Sequence, residues 1–309
     1  MSPADSLPDP ADRDFDDDGP GVELGAIAYG CWRFAGTSVA EARAKVETAL
    51  EFDMTLIDTA DIYGWRTEEG FGAAEALLGR VLAEAPHLRD GMILATKGGI
   101  QPPKPYDSSA GYLTEACEAS LRRLGVDVID VYQVHRPDLL AHPGEVGETL
   151  TALRDDGKVR EVGISNHTVA QARALQAYLD FPIATSQPEL SPLRLDPLVD
   201  GTLDLCMELG MAPLAWSPLA GGRLAGEPPA GDLRAEAVCA VCDRIADEQG
   251  VSRSAVVLAW LMAHPSGVVP IIGTQQLDRI RECARATEVE LTRELWYEVL
   301  VAARGEAMP

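Results

Sequence analysis

Eight short apolar runs recur along the chain, most of them followed by a helix-sized amphipathic segment, and this alternation is what most restricts the fold. The runs occupy 24–30, 54–58, 92–97, 128–135, 159–165, 182–187, 211–216 and 268–273. In SVAEARAKVETALEF (38–52) the apolar residues fall three and four apart, the period of a helix with one buried face. FGAAEALLGRVLAEA, YLTEACEASLRRLG, GEVGETLTALRDDG and TVAQARALQAYL carry the same pattern. Ser38 and Thr168 stand at N-cap positions, and Gly125 stands where a helix should stop. Strands alternating with helices make parallel βαβ units. Eight such units predict an α/β fold, a single (β/α)8 TIM barrel, rather than an open doubly wound sheet. Two extra helices, 252–264 and 292–303, are expected to decorate it. The barrel is expected to span 21–309 as one domain, a length that such barrels reach without a second core. Before it, Asp5, Asp9, Asp12, Asp14, Asp16, Asp17 and Asp18 crowd among Pro and Ser, so 1–20 reads as a disordered acidic tail.

The charge is strongly acidic: 49 Asp and Glu against 26 Lys and Arg give a formal net charge of −23. A phosphate backbone or an anionic membrane surface needs clustered cations, so nucleic-acid and membrane partners are not expected. The apolar run AVVLAWLMA (255–263) is far too short to span a bilayer. The first residues lack a basic start and an apolar stretch, which makes a cytoplasmic location the expectation. Six cysteines scattered through the elements read as reduced thiols. The pair Cys239 and Cys242 lies inside a helical pattern with no neighbouring His, so no metal site is expected.

Function-bearing residues stand at the ends of the runs. Asp58 closes TLID, Tyr63 follows one turn later, Lys97 closes MILATK and His135 closes VIDVYQVH. In a parallel barrel these ends all open on the same mouth, where such folds place their chemistry. A phenol is a weak acid near neutral pH. An ammonium beside it would favour the phenolate and ease proton donation, and a carboxylate would keep that ammonium charged. A group of this kind would protonate an oxygen that gains negative charge. Taken singly, each residue has a structural reading: a packed Tyr, a capping Asp, a buried Lys–Asp pair, an interior His. It is their convergence that points to catalysis.

D-T-A-x-x-Y-G (58–64), T-K-G-G (96–99), H-R-P-D (135–138), G-I-S-N (163–166) and the later P-L-A-W-S-P-L resemble, in order, the aldo-keto reductase superfamily. The stretches QPELSPLRLDPLVDGTLD and GGRL are similar to a bacterial branch of it, the YdhF-like oxidoreductases. The resemblance implies a tetrad of Asp58, Tyr63, Lys97 and His135 with Tyr63 as general acid. It also implies hydride transfer from NADPH to an aldehyde or ketone, with NADH the alternative. No G-x-G-x-x-G opens a helix after a strand, so a Rossmann site is not supported. The resemblance instead places the cofactor at the barrel mouth. Gly30 and Trp32 would border it, and Ser165, Asn166 and Gln187 would hold the carboxamide. Trp216 would stack on the ring. Ser217, Leu219, Gly222, Arg223 and Leu224 would line the pyrophosphate. Gly273, Thr274 and Arg279 would take the adenosine phosphate, and Glu282 the adenine. The pattern departs from the family in two places. Gln275 and Gln276 stand where NADPH-preferring members often carry a cation, and Cys283 stands where an Asn often follows the Glu.

The substrate is expected to be a small-molecule carbonyl in a pocket lined by Trp32, Trp65, Tyr63 and His135, with the loop 101–112 as one wall. Two other functions compete. One is an NADPH-binding regulatory or redox-sensing subunit with little turnover. The other is a sugar-phosphate isomerase or aldolase that uses Lys97 as a base or Schiff-base amine. Oligomeric state is left open by the sequence.

Overall fold

The computed structural model describes residues 24–309, so the expected acidic tail at 1–20 lies outside the described residues. Eight strands form a closed, all-parallel barrel in sequence order: β1 (Ala28–Gly30), β2 (Leu56–Asp58), β3 (Ile93–Gly98), β4 (Ile129–Val134), β5 (Val159–Ser165), β6 (Thr185–Gln187), β7 (Ala212–Ala215) and β8 (Val269–Ile272). Closure comes from Ala28 and Tyr29 of β1 pairing with Ile271 and Ile272 of β8. The helices are α1 (Val39–Glu51), α2 (Ala73–Glu84), α3 (Ala110–Leu124), α4 (Pro143–Asp155), α5 (Val169–Gln176), α6 (Thr202–Leu209), α7 (Leu233–Gln249), α8 (Arg253–Met262), α9 (Leu277–Ala284) and α10 (Arg293–Arg304).

Local chemistry sets these boundaries. Ser38 and Thr168 each form a reciprocal capping box, with Glu41 and Gln171, and so satisfy free N–H groups at the starts of α1 and α5. Gly125 ends α3 at φ +68°, a left-handed conformation that costs a glycine little. Ser109 caps α3 two residues earlier than expected, so the loop after β3 ends before Tyr112.

Two helices separate β7 from β8, and the structure corrects which of them is the addition. Helix α8 lies against β8, and all of its residues from Ala255 to Met262 are buried. A helix that is apolar all round belongs in an inner layer. The outer addition is α7, which packs against the C-terminal α10. Trp260 and Trp296 join α8 to α10: their rings stack at 5.0 Å, and each indole N–H donates to the other's carbonyl at 2.9 Å.

Successive side chains of a strand point to opposite faces. Inside the barrel, Ala28, Leu56, Ala95, Val131, Leu214, Val269 and Ile271 form a separate apolar plug. Two residues further along β2, β3 and β4, the same alternation brings Asp58, Lys97 and Gln133 to the inner face, one layer nearer the mouth. Gly163 on β5 makes room for that layer: a Cβ there would lie 2.1 Å from Thr185 Oγ1 and 2.8 Å from Gln133 Cγ.

Candidate active site

The inner layer is polar, and its members are bonded to one another. Lys97, fully buried, donates to Asp58 Oδ1 and Oδ2 at 2.7 Å each and to the carbonyl of Thr59 at 2.8 Å. Gln187 Nε2 reaches Asp58 Oδ1 at 3.0 Å, and Gln133 Nε2 reaches the same oxygen at 3.4 Å. Removing a carboxylate and an ammonium from water is costly unless they pair and their remaining hydrogen-bonding capacity is filled. Both conditions hold here.

The loop after β2 then places Tyr63 over the pair. Its ring centre lies 5.2 Å from Lys97 Nζ and 5.9 Å from the His135 ring, which meets it edge-on at 79°. The four tetrad residues are therefore together at the barrel mouth. Their electrostatics depart from the sequence expectation in one respect. Lys97 directs its three N–H bonds at Asp58 and Thr59, and its charge is balanced by Asp58. Burial pushes the Tyr63 hydroxyl well above the ordinary tyrosine range, and the negative charge of Asp58 pushes it further. The cation that opposes this rise is Arg136. Arg136 lies over the Trp216 ring at 5.7 Å and has no carboxylate partner among the described residues. Burial, then the charges of Lys97 and Arg136, hold His135 well below its usual range, so its imidazole is neutral. Its Nδ1 is buried without a hydrogen-bond partner.

Beneath the Tyr63 turn lies a second buried acid, Asp61. Burial and nearby Glu75 raise its carboxyl well above the usual range. Glu75 is itself buried between Thr96 Oγ1 at 2.5 Å and Arg123 Nε at 2.6 Å. The Tyr112 hydroxyl ties Asp61 to the Ile100 carbonyl, at 3.3 and 3.2 Å. On the neighbouring loop, Asp138 accepts from the backbone N–H of Ser108 and of Leu140, which fixes the loops after β3 and β4 to each other.

The residues expected to meet a cofactor lie on the same mouth, in varied states. Ser165 Oγ donates to the Gln187 carbonyl at 2.8 Å, and Asn166 Nδ2 donates to Ser165 Oγ at 2.7 Å. Trp216 Nε1 donates to Asn166 Oδ1 at 2.9 Å, so the indole is held in place by β5. Asn166 and Ser217 both take left-handed backbone, φ 57° and 56°, which is uncommon outside glycine and concentrates at functional sites. Gln187 turns its side-chain amide N–H toward Asp58. In the loop after β7, Gly221 N–H is already bonded to Ser217 Oγ and Gly222 N–H to the Leu219 carbonyl. Arg223 is paired with Asp232. Leu224 is fully buried, so only its backbone belongs to the loop. Gly30, at the end of β1, has Ile271 2.9 Å from where a Cβ would stand.

The loop after β8 has more to offer an anion. Helix α9 begins at Leu277, and its N-cap Gln276 makes no side-chain cap. The first N–H groups of a helix lack partners inside it. Arg279 and Glu282 are exposed one turn apart on α9, and Arg279 has no ion pair among the described residues. On the substrate side, Trp32 is 63% exposed with Arg33 5.5 Å from its ring, and Trp65 is 48% exposed, edge-on to Phe71. Gln133 and Arg136, which sequence reasoning left unassigned, complete the site. Gln133 had a signal, since a polar residue two places before His135 must share its face of the strand.

The sequence model of the Aldo/keto reductase family matches residues 26–300. The chain is 54% identical over 291 residues to a 6-dehydroglucose reductase of Novosphingobium aromaticivorans, covering 94% of this chain and 95% of that protein. It is 36% identical to the oxidoreductase YdhF of Escherichia coli, covering 94% and 97%. Among solved structures, an aldo/keto reductase from Klebsiella pneumoniae in complex with NADP and acetate superimposes with a TM-score of 0.75. The identity there is 25%, with 93% of each chain covered.

Proposed function

The chain belongs to the aldo/keto reductase family of oxidoreductases, and from that premise we propose that it reduces the aldehyde of a small sugar-like substrate to an alcohol with NADPH. The observation that carries the reading is the buried Lys97–Asp58 pair beneath Tyr63 and a neutral His135. The pair is charge-balanced, and it places one phenol and one imidazole at the mouth of a closed barrel. The sugar aldehyde is suggested by the 6-dehydroglucose reductase that shares 54% of its residues.

A bound nicotinamide would supply the hydride. The dinucleotide fits the residues present. At the ring end, Trp216 is fixed through Asn166 and Ser165. At the phosphate end stand the uncapped start of α9 and Arg279, which has no ion pair among the described residues. The chain's own part is to position the carbonyl and to move one proton. The raised Tyr63 hydroxyl keeps its proton throughout the neutral range and transfers it to the carbonyl oxygen as that atom gains charge. His135, being neutral, orients the carbonyl by hydrogen bonding without competing as an acid. Overall, the carbonyl, the reduced cofactor and one proton give the alcohol and the oxidised cofactor. Because Lys97 is engaged as the partner of Asp58, a Schiff-base aldolase gains no support.

The test is NADPH oxidation with 6-dehydroglucose and with a reactive aromatic aldehyde, comparing the parent with Tyr63→Phe. Losing a general acid costs about 10²–10⁴ in rate. A Tyr63→Phe variant that binds NADPH normally yet loses turnover on this scale supports the reading. Unchanged turnover removes Tyr63 from its role, and cofactor binding without turnover in the parent favours a regulatory subunit.

A further inference from the structure

The sequence contains four lysines, at 45, 97, 104 and 158. Lys97 pairs with Asp58, Lys104 with Asp107, and Lys158 with Glu118 and Asp156. Lys45 alone of the four has no carboxylate partner among the described residues, in a chain with 49 acidic side chains. It lies on the inward face of α1, only 5% exposed. Its ammonium donates to Gln275 Oε1 at 2.9 Å and lies 5.8 Å from the centre of the Phe34 ring. Gln275 stands in the loop between β8 and α9, 230 residues further along the chain.

A nearly buried ammonium bonded to a neutral amide, with the Glu41 carboxylate one turn away already engaged by Ser38, is costly to hold charged, because little near it replaces the water it has lost with negative charge. Surface placement would remove that cost, and an anion delivered to the loop would offset it. The loop is prepared for one. Tyr29 of β1 donates to the Thr274 carbonyl at 3.0 Å and supports the loop from below. Gln275 is bonded on one side to Lys45, while its own Nε2 points to the Gly273 carbonyl at 3.4 Å. Gln275, one of the two positions where the family resemblance implies a cation, is therefore a position to which a neighbouring helix brings one.

We propose that Lys45, acting through Gln275, is the counter-charge that makes the site prefer a dinucleotide with a phosphate on its adenosine ribose. This rests on the cofactor reading of the preceding subsection and assigns the preference to a residue outside the loop itself. Lys45 is a specificity-determining residue here and has no part in proton or hydride transfer.

The test is isothermal titration calorimetry of NADPH and of NADH against the parent, Lys45→Met, Lys45→Arg and Gln275→Glu. Lys45→Met should weaken NADPH by about tenfold or more, a loss of roughly 1.4 kcal/mol or more, and leave NADH nearly unchanged. Lys45→Arg should keep the preference. Gln275→Glu, which pairs the ammonium internally, should reproduce the selective loss with α1 intact and so keeps the test sharp if Lys45→Met folds poorly. An equal weakening of both dinucleotides would make Lys45 merely structural, and no change in either would overturn the proposal while leaving the reductase reading in place. A parent that binds neither dinucleotide would sink both.

Discussion

Replacing Lys97 with Met separates the two halves of the inner polar layer. The variant keeps the length of the side chain and removes its charge, so Asp58 is left as a buried carboxylate with only Gln187 and Gln133 donating to it. Breaking a buried pair by removing one partner costs about 3–5 kcal/mol. With an unfolding entropy of about 2.1 cal/mol/K per residue, the roughly 290 described residues give about 0.6 kcal/mol/K. The melting temperature should then fall by about 5–8 °C. Asp58→Asn alone should also destabilise, because it strands the ammonium. The double variant Asp58→Asn/Lys97→Met removes both charges of this pair and should melt above either single variant. Differential scanning calorimetry of the four proteins in one buffer reads the cycle. If Lys97→Met melts with the parent, or if the double variant loses the sum of the two singles, the pair is not coupled and the account of the inner layer is wrong.

Two further outcomes follow from the charges around the site. Arg136 is the cation that opposes the rise in the Tyr63 hydroxyl. Arg136→Gln should therefore move the alkaline fall-off of kcat/KM for carbonyl reduction to higher pH, and a shift to lower pH would contradict the assignment. His167 is held by burial at about 4 against an ordinary 6.5, with its Nδ1 beside the Ser165 carbonyl. Between those values the unfolded chain binds a proton that the folded chain refuses, so stability is intact above 6.5 and is lost as the pH falls. The loss amounts to about 1.4 kcal/mol per pH unit, or roughly 3 kcal/mol by pH 4. Urea titrations at stepped pH should show a shallower acid decline in His167→Gln, and an unchanged slope would remove His167 from the effect.

Much of this was legible in the chain because period and capping chemistry are local. Val159–Ser165 was bounded to the residue, and Ser38, Thr168 and Gly125 act as their types predict. Helix α6 went unread because it is a single eight-residue segment introduced by Gly201 and without a side-chain cap. The gathering of Asp58, Tyr63, Lys97 and His135 was legible because three of them end apolar runs and Tyr63 follows Asp58 by one turn. The direction of the Tyr63 shift was not, because it comes from burial and from the charge of Asp58 in the folded site, which no spacing reveals. Gln133 and Lys45 were overlooked for a related reason. One lies within a strand and the other within an amphipathic helix, and their significance comes from partners 75 and 230 residues away.

The stacked indoles that fasten α8 to α10 have a consequence for anyone who follows this protein by its own light. Of its five tryptophans, Trp260 and Trp296 belong to that pair, whereas Trp32, Trp65 and Trp216 surround the mouth. Trp260 is fully buried and Trp296 partly covered by it on one flank of the molecule, and the other three stand at the mouth. Emission that changes on addition of a ligand while the shielded component stays constant reports occupancy. A change in the shielded component reports the C-terminal helix coming away. The chain thus has two optical channels, one for its chemistry and one for its integrity.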